Sequence, residues 1–373
     1  MASCRASALT EFIGEDGHAY VKLDTSKCVG CLSCERICKE ARSLRGNNDL
    51  DASAPYAAWA SSEEIRKNAT SGGIATAAGK WCIDRGGCVV GSSFDGRRAK
   101  HVTVSDAGGL VQIQGSKYVW SNPEPAYREI ASHLSSGKVL FVGTGCQVAG
   151  VLAFFAGHPF ERNLYTIDLI CGGVPSDLLM KSFFKSASQV ASITSFRSKR
   201  KYELKGIVDG REVVLPDDSL PLSGFCAEQT MRYSCYDCPF AFAHRHSDIT
   251  VGDLWGESAP ADQRDSGVSL VVVHSAKGQE ILSNAEVSSL AMEWKDVLPD
   301  NRRLVFGKTP RIWLRERLAD NYSEMDASTF SRVYSVSSSI SRPLGFAARL
   351  WLHLLRKLYS LRSRITISSI LNK

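Results

Sequence analysis

The spacing of apolar residues along the chain separates a short N-terminal segment from a longer region with regular alternation. Residues 18–24 alternate in polarity, which predicts a short strand. Beyond residue 55, apolar runs of strand length alternate with segments of helical periodicity, which predicts an α/β layer on a partly parallel sheet. In order, the pattern predicts a helix over 71–85, a strand over 88–93, a helix over 127–134, a strand over 139–142, a helix over 147–155, a strand over 164–170, a helix from Ser176, and a strand over 269–274 followed by a helix. Residues 47–55 and the Ser-rich segment 334–343 are expected to be connections.

The charge of the 373-residue chain is concentrated at its C-terminal end. The formal net charge is +6, but eight basic residues and no acidic residue follow Asp326. The preceding part is therefore close to neutral, which argues against nucleic acid as a partner because nucleic-acid enzymes are usually basic across a broad face. The first residues lack the apolar run of a secretory signal, so we expect a cytoplasmic protein. Its twelve cysteines are then better explained as metal ligands than as disulfides.

Four cysteines near the N-terminus have the spacing of a bacterial ferredoxin. The run is Cys28-Val-Gly-Cys31-Leu-Ser-Cys34-Glu-Arg-Ile-Cys38. This spacing wraps the backbone around a [4Fe–4S] cluster, whereas zinc sites usually separate paired cysteines by a longer gap. Residues 1–45 are thus predicted to form a ferredoxin-type module.

The ligand that completes this cluster has two candidates. In two-cluster ferredoxins the fourth cysteine of such a run binds the other cluster. Here Lys39 replaces the usual proline, and Cys4 lies 24 residues before Cys28. One hypothesis assigns the fourth position to Cys4, and the simpler alternative assigns it to Cys38.

Four further cysteines are dispersed along the α/β region. Cys146 and Cys171 each follow a predicted strand, and ligands of open α/β sheets bind at the carboxyl ends of strands. Cys235 and Cys238 form a C-x2-C pair that can supply two more thiolates. Buried, inert cysteines are the alternative, and this is what we expect of Cys82 and Cys88.

Two glycine-containing turns are candidate cofactor sites. Ser71-Gly72-Gly73 precedes a predicted helix, and Gly115-Ser116-Lys117 is a polar turn. Amides at a helix start favour anions, and glycine allows close approach. A capped core helix and a solvated lysine are the structural alternatives.

Together, these motifs resemble the beta subunit of coenzyme F420-reducing hydrogenase and its formate-dehydrogenase relatives. Besides the ferredoxin run, the matching pieces are Ser71-Gly-Gly-Ile, Gly115-Ser-Lys-Tyr, Val142-Gly-Thr-Gly-Cys-Gln147, the segment 167–176 around Cys171, Ser195-Phe-Arg-Ser-Lys199, Arg232-Tyr-Ser-Cys-Tyr-Asp-Cys238 and the segment 245–256. The resemblance covers roughly residues 18–285. Two positions depart from it, since Thr144-Gly145 replaces the usual Thr-Pro and Cys171-Gly172 replaces Cys-His-Gly.

The resemblance implies an oxidoreductase with FAD and one or two [4Fe–4S] clusters. Such proteins pass electrons between a cluster and a two-electron carrier such as coenzyme F420. A ferredoxin-dependent reductase of an organic substrate and a pyruvyl-transferase-associated accessory protein of polysaccharide biosynthesis are the alternatives. The resemblance also implies a redox partner, either ferredoxin or a dehydrogenase- or hydrogenase-like subunit, and family halves over 56–140 and 141–333. It makes Cys146, Cys171, Cys235 and Cys238 cluster ligands, and the two glycine turns and Thr144 cofactor contacts.

Three other features remain open at this stage. Asp248 and Asp253 are expected to cap turns rather than orient a basic side chain or bind the cofactor. His244 and His246 are expected to be a surface pair. In the tail, Arg349, His353, Arg356 and Ser360 fall on one helical stripe among apolar residues. This basic helix can contact an anionic membrane, dock on a partner or pack on its own body.

Overall fold

The computed structural model is an α/β protein, as the apolar pattern predicts, and describes residues 1–216, 219–228, 230–305 and 343–371. The strands are β1 (Leu9–Ile13), β2 (Ala19–Leu23), β3 (Ala54–Ala60), β4 (Cys88–Phe94), β5 (Ala99–Val104), β6 (Val139–Thr144), β7 (Leu164–Leu169), β8 (Val190–Arg197), β9 (Tyr202–Val208), β10 (Arg211–Val214), β11 (Ile249–Asp253), β12 (Ser269–Val273) and β13 (Val287–Ala291). The α-helices are α1 (Ser33–Ser43), α2 (Glu63–Asn68), α3 (Ile74–Ile83), α4 (Ala107–Ile113), α5 (Tyr127–Leu134), α6 (Gly145–Phe155), α7 (Asp177–Ser186), α8 (Leu220–Ala227), α9 (Ala276–Asn284), α10 (Trp294–Val297) and α11 (Pro343–Leu371). Short 3-10 helices span Glu124–Ala126, Glu161–Asn163, Tyr233–Cys235 and Arg302–Leu304.

Eight strands form one mixed sheet in the order β13-β3-β12-β11-β7-β6-β4-β5. The four strands β11, β7, β6 and β4 run parallel to one another, and antiparallel pairs extend the sheet at both ends. The carboxyl ends of β6 and β7 therefore lie side by side at one edge of the sheet. This is the edge at which Cys146 and Cys171 are predicted to lie.

Helices cover both faces of this sheet because alternate residues of its buried strands are apolar on each side. Leu140 of β6 belongs to the core beneath α3 and α9, whereas the next residue, Phe141, packs against α5 and α6. At the β12 end, α10 and the end of α11 complete the second face, and Ile367 is buried there. Nearly continuous apolar strands are typical of a sheet buried on both faces.

A second, three-stranded sheet in the order β10-β9-β8 packs against α7 and α8. Phe183 of α7 and Phe196 of β8 are buried between these layers. The sequence pattern did not predict this sheet. Strands β1, β3, β5, β11 and β13 were also missed, and β3 begins at Ala54 inside the predicted connection 47–55.

The N-terminal segment consists of the β1–β2 hairpin followed by α1. The tip of the hairpin lies on α7, since a Cβ atom placed on Gly17 would be only 2.2 Å from Ser176 Oγ. Helix α1 packs against α6. The predicted strand over 18–24 is confirmed as β2, while the cluster in this module stays a prediction.

Most predicted helices and strands of the α/β region are confirmed within a few residues. Helix α5 matches its predicted bounds, and α3 starts three residues later than expected, because Gly73 adopts a φ of 84° at its N-cap. The predicted linker 334–343 lies outside the described residues except for its last residue. In the described part of the chain, no helix is long and apolar enough to cross a membrane.

Candidate redox site

Cys146 and Cys171 lie next to each other at the carboxyl edge of β6 and β7. Cys146 is in the first turn of α6, and its Sγ atom is 3.2 Å from Thr144 Oγ1. The start of this helix is fixed by Gln147, whose Oε1 accepts the amide hydrogen of Thr144 at 2.9 Å. Cys171 follows β7, and its sulfur accepts a hydrogen bond from the Gly173 amide at 3.2 Å. The parallel pairing of β6 and β7 is therefore what brings these two thiols together.

The loop that carries Cys235 and Cys238 is paired directly with the loop after Cys171. Pro175 forms a β-bridge with Met231, and the Arg232 amide donates to Val174 O at 3.1 Å. On the other side, Cys238 is held near α6, since a Cβ atom on Gly145 would be 2.9 Å from Phe240 Cβ. The structure thus brings together all four dispersed cysteines.

The electrostatics of these thiols reflect their common location. Burial, together with the nearby Cys171, Cys146 and Cys238, raises the pKa of Cys235 to about 12. Burial also raises the pKa of Cys238 to about 11, with Cys146 and Cys171 adding to the shift and Arg245 opposing it. Deprotonation of the Cys235 and Cys238 thiols is unfavourable unless nearby cations balance the negative charge of the thiolates, as the iron ions of a cluster would do.

A buried ion pair supports this group of cysteines from beneath. Arg245 Nη1 is 3.0 Å from Asp168 Oδ2 and also donates to Leu169 O at 3.2 Å. Both side chains are almost fully buried. Among the described residues, Asp168 Oδ1 has no hydrogen-bond partner. Removing Arg245 would leave a buried carboxylate unpaired, which is strongly destabilising.

The two departures from the usual family pattern are explained by packing. A Cβ atom on Gly172 would be 2.2 Å from Arg303 Nη1 and 2.6 Å from Phe225 Cζ. Arg303 in turn forms an ion pair with Glu228 at 2.5 Å. The glycines at 145 and 172 therefore leave room for the side chains of Phe240 and Arg303.

The two predicted glycine turns meet on the amino side of α3. Thr70 Oγ1 is 3.0 Å from Ser116 Oγ, which joins the turn before α3 to the turn Gly115-Ser116-Lys117. Gly72 is required by packing, since its Cβ atom would be 2.5 Å from Ala58 O. Gly115 has a φ of 81° and open space around it. Ser71 and the Gly72 amide both bond to Ser269, so the turn is fixed before any ligand binds.

Lys117 is held close to these turns by backbone groups. Its Nζ atom donates to Ile113 O at 2.8 Å and to Gln114 O at 2.7 Å. Burial lowers the pKa of Lys117 to about 7. The alternative of a fully solvated lysine is therefore wrong, because this amine is largely removed from water and changes charge near neutral pH.

Sequence reasoning missed three basic residues around the Ser71 turn. Arg197 donates to Thr70 O at 3.0 Å, while Lys199 donates to Arg66 O. Among the described residues, neither Arg66 nor Lys199 forms an ion pair with a carboxylate; Arg66 instead contacts Gly267 O at 2.8 Å. Burial lowers the pKa of Lys199, and Arg66 lowers it further. The motif 195–199 was the available signal for two of these residues, and nothing in the sequence pointed to Arg66.

The expectations for Asp253, for the histidine pair and for Asp248 were wrong, whereas the expectation for Cys82 and Cys88 was confirmed. Asp253 orients a basic side chain, because its carboxylate accepts from both Arg197 terminal nitrogens at 2.5 and 3.0 Å. His246 is exposed, but His244 is half-buried and hydrogen-bonded to Ser53 at 2.7 Å. Asp248 links separate segments instead of capping a turn, because its carboxylate accepts from Thr166 and from Ser275. Cys82 and Cys88 are buried in the core, as expected.

The N-terminal cysteines lie on the outer surface of the hairpin and α1. Cys28, Cys31 and Cys38 are exposed, and Cys4 and Cys34 are partly buried. In the described part of the chain, no three His, Cys, Asp or Glu side chains are close enough to hold a single metal ion. Neither group of cysteines is therefore arranged as a compact mononuclear site.

Comparison with known proteins gives two family matches and several similar solved structures. Residues 55–125 match the N-terminal part, and residues 136–296 the C-terminal part, of the coenzyme F420 hydrogenase/dehydrogenase beta subunit. A chain of the xenon-derivatised F420-reducing [NiFe] hydrogenase complex from Methanosarcina barkeri is similar at 18% identity and a TM-score of 0.49. That alignment covers 81% of this chain and 98% of the other.

Proposed function

The chain belongs to the coenzyme F420 hydrogenase/dehydrogenase beta-subunit family and is an electron-transfer oxidoreductase, and we propose that it is an iron–sulfur flavoprotein. In this proposal it passes electrons between [4Fe–4S] clusters, FAD and a two-electron carrier such as coenzyme F420. The observation that carries the proposal is the convergence of Cys146, Cys171, Cys235 and Cys238 from three separate segments.

The thiol chemistry of this group fits a cluster better than a single ion. Four cysteine thiolates are the usual ligands of [4Fe–4S] clusters. Among the described residues, no three His, Cys, Asp or Glu side chains are arranged to hold a single metal ion, whereas a cluster places several atoms between its ligands. Arg232 and Arg245 favour the thiolate forms of Cys146 and Cys238, and would stabilise the net negative charge of a thiolate-bound cluster.

The basic residues near the Ser71 turn fit the diphosphate of FAD. Among the described residues, Arg66 and Lys199 donate to backbone oxygens and form no close ion pair with a carboxylate. The amides at the start of α3 favour an anion on the same side. Lys117, Ser116 and the open space at Gly115 suit contacts with the isoalloxazine ring. When bound, FAD would convert between one hydride and two single electrons, with one proton released when electrons leave towards a cluster and taken up in the reverse direction. The protein's own contribution is to hold both groups and exclude water.

The proposed redox partner is a ferredoxin or a dehydrogenase- or hydrogenase-like subunit that docks on the N-terminal module. Val29 and Leu32, within the ferredoxin run, are 74% and 64% exposed. Apolar side chains around an exposed redox centre are suited to transient contact with such a partner. The same surface would serve a ferredoxin-dependent reductase of an organic substrate.

Anaerobic purification of the full chain, with a visible spectrum and assays of flavin, iron and sulfide, tests the proposal. We expect bound FAD, at least one [4Fe–4S] cluster and reduction of the flavin by reduced F420. Reduction by reduced ferredoxin alone would favour the organic-substrate reductase. Clusters without flavin would overturn the flavoprotein proposal and favour a structural role, as in a polysaccharide accessory protein.

Matched variants separate the two cofactor sites. Cys235→Ala should lose iron and retain flavin, and the exposed Cys226→Ala is its control. Lys199→Gln should weaken FAD binding roughly tenfold or more, the scale expected for loss of a charged hydrogen-bond donor, with iron unchanged. Lys201→Gln, on an exposed side chain paired with Glu203, is the control. Equal FAD affinity in the two lysine variants would contradict the diphosphate assignment.

We further propose that α11 makes peripheral contact with an anionic membrane. Apolar side chains spaced three or four residues apart are exposed along this helix, namely Leu350, Leu354, Leu358, Leu361 and Ile365. Lys357, Arg362 and Arg364 are exposed beside them, and the helix contains no acidic residue. An apolar stripe with basic flanks is suited to an anionic lipid surface.

A further inference from the structure

The N-terminal cysteines surround a small cavity at the open end of the β1–β2 hairpin. Its wall includes Cys4, Cys28, Cys31 and Cys34, together with apolar side chains such as Leu9. Cys38 does not line it. Four of the five cysteines in this module therefore line the cavity. This set contains Cys4 in place of Cys38, the last cysteine of the ferredoxin run.

Strand pairing explains why Cys4 reaches this cavity despite its distance along the sequence. Leu9 of β1 is paired with Leu23 of β2, and the Asp24 amide donates to Ala8 O at 2.8 Å. Cys4 lies five residues before Leu9, and Cys28 lies five residues after Leu23. The register of the hairpin thus places the two cysteines the same number of residues beyond the paired ends of its strands.

The backbone around the cavity has the features that a cluster-binding loop requires. Gly30 and Leu32 both have positive φ values, of 68° and 58°, so the chain turns tightly between its cysteines. The Ala8 amide donates to Cys4 Sγ at 3.2 Å. Amide hydrogen bonds to cysteine sulfur stabilise cluster-bound thiolates, so the Cys4 sulfur already has the environment of a ligand.

Cys38 is in a different position. It lies one helical turn beyond Cys34 on α1, and its side chain is exposed. We propose that Cys4, Cys28, Cys31 and Cys34 hold the N-terminal [4Fe–4S] cluster and that Cys38 is not one of its ligands. This inference rests on the proposed function only in taking the chain to be an iron–sulfur protein.

Alkylation of the intact, full-length holoprotein tests the ligand set without any substitution. Anaerobic iodoacetamide treatment followed by peptide mass spectrometry should label Cys38 and leave Cys4, Cys28 and Cys31 protected. Cys28 and Cys31 are exposed in the structure, so their protection would result from iron ligation. After chelation of the iron, Cys4, Cys28 and Cys31 should be labelled as well as Cys38. Labelling of Cys4 together with protection of Cys38 would overturn the proposal.

Iron and sulfide contents of variants provide an independent measurement. Cys4→Ala and Cys28→Ala should lose the same amount of iron, whereas Cys38→Ala should retain the wild-type content. Loss of iron from Cys38→Ala, or full retention by Cys4→Ala, would overturn the assignment, and circular dichroism would check that each variant is folded. The proposed function fails separately, if the wild-type protein has no iron or if Cys235→Ala loses none.

Discussion

At the scale of single residues, Lys117 has an environment that is rare for a lysine. Its amine donates to two backbone carbonyls and, among the described residues, forms no ion pair. Burial lowers its pKa to about 7, compared with about 10.4 for an exposed lysine. Between these values the unfolded chain binds a proton that the folded chain does not. Lys117 therefore makes stability increase with pH in this range.

We predict that Lys117→Met changes the pH dependence of stability. As the pH is raised from 7 to 9.5, the thermal midpoint of the variant minus that of wild type should decrease. The reason is that only wild type gains stability from deprotonation of Lys117 in this range. Below pH 7 the relative midpoint should be constant. Lys100→Met, at an exposed position on β5, is the control. A difference between Lys117→Met and wild type that does not vary with pH would contradict the lowered pKa.

The residue scale also shows where sequence reasoning reaches its limit. Cys146 and Cys171 could be placed at one sheet edge, because strand ends can be predicted from apolar runs. Arg66 could not be placed beside Lys199, since their proximity depends on the packing of α2 against a loop 200 residues later. Gly72 was assigned to cofactor approach, whereas close packing on Ala58 already requires a glycine there.

At the scale of elements, the tip of the β1–β2 hairpin packs closely against the α/β region. A Cβ atom on Gly17 would be 2.2 Å from Ser176 Oγ and 2.4 Å from Leu178 Cγ. Arg232, next to the Cys235 loop, lies over the ring of Tyr20 at 5.4 Å. These contacts position the N-terminal module beside the loop that carries two of the dispersed cysteines.

We predict that Gly17→Ala weakens this attachment. Gly17 has a φ of 73°, so alanine there has a backbone cost and a steric clash. Gly210→Ala is a matched control, because its φ is 75° with no neighbouring heavy atom within 4 Å. Gly17→Ala should lower the thermal midpoint by several degrees more than the control. It should also speed tryptic cleavage in the first 45 residues, and equal behaviour of the two variants would contradict hairpin docking.

Element prediction succeeded where one helix or strand has a complete pattern of its own. Helix α5 was predicted to the residue because its apolar positions follow helical periodicity. The three-stranded sheet was missed, because β10 is exposed throughout and β8 pairs with β9 through shifts in register. Such strands are determined by their partners, and a single sequence does not reveal that pairing.

At the scale of the whole molecule, the two groups of cysteines belong to units that contact each other. Cys34 is in the first turn of α1 and Cys146 in the first turn of α6, and these helices pack together. The N-terminal module therefore has Val29 exposed on its surface and contacts, through α1, the helix that carries Cys146. This arrangement suits electron entry at the surface and transfer inward, as the proposed function requires.

The tail also has two parts once the structure is considered. Ser360, on the predicted polar stripe, accepts a hydrogen bond from Arg302 at 3.1 Å, and Ile367 and Ile370 pack on the core near α10. The side chains of Arg349, His353 and Arg356 lie outside the described set. Deleting the tail would uncover apolar core, so substitutions on its exposed stripe give a cleaner test of membrane contact.

We predict that wild-type protein sediments with vesicles containing phosphatidylglycerol and not with phosphatidylcholine alone, and that high salt reduces this binding. Replacing Leu354 and Leu358 with glutamate should weaken vesicle binding at least roughly tenfold, because the apolar area available for insertion is lost. Flavin and iron contents should not change, since both positions are exposed. Glutamate at Val214 and Leu290, which are exposed to similar extents elsewhere, is the matched control. Equal vesicle binding by the stripe variant and wild type would contradict membrane contact through α11. Self-association of wild type that the stripe variant loses would instead identify α11 as a protein-binding helix.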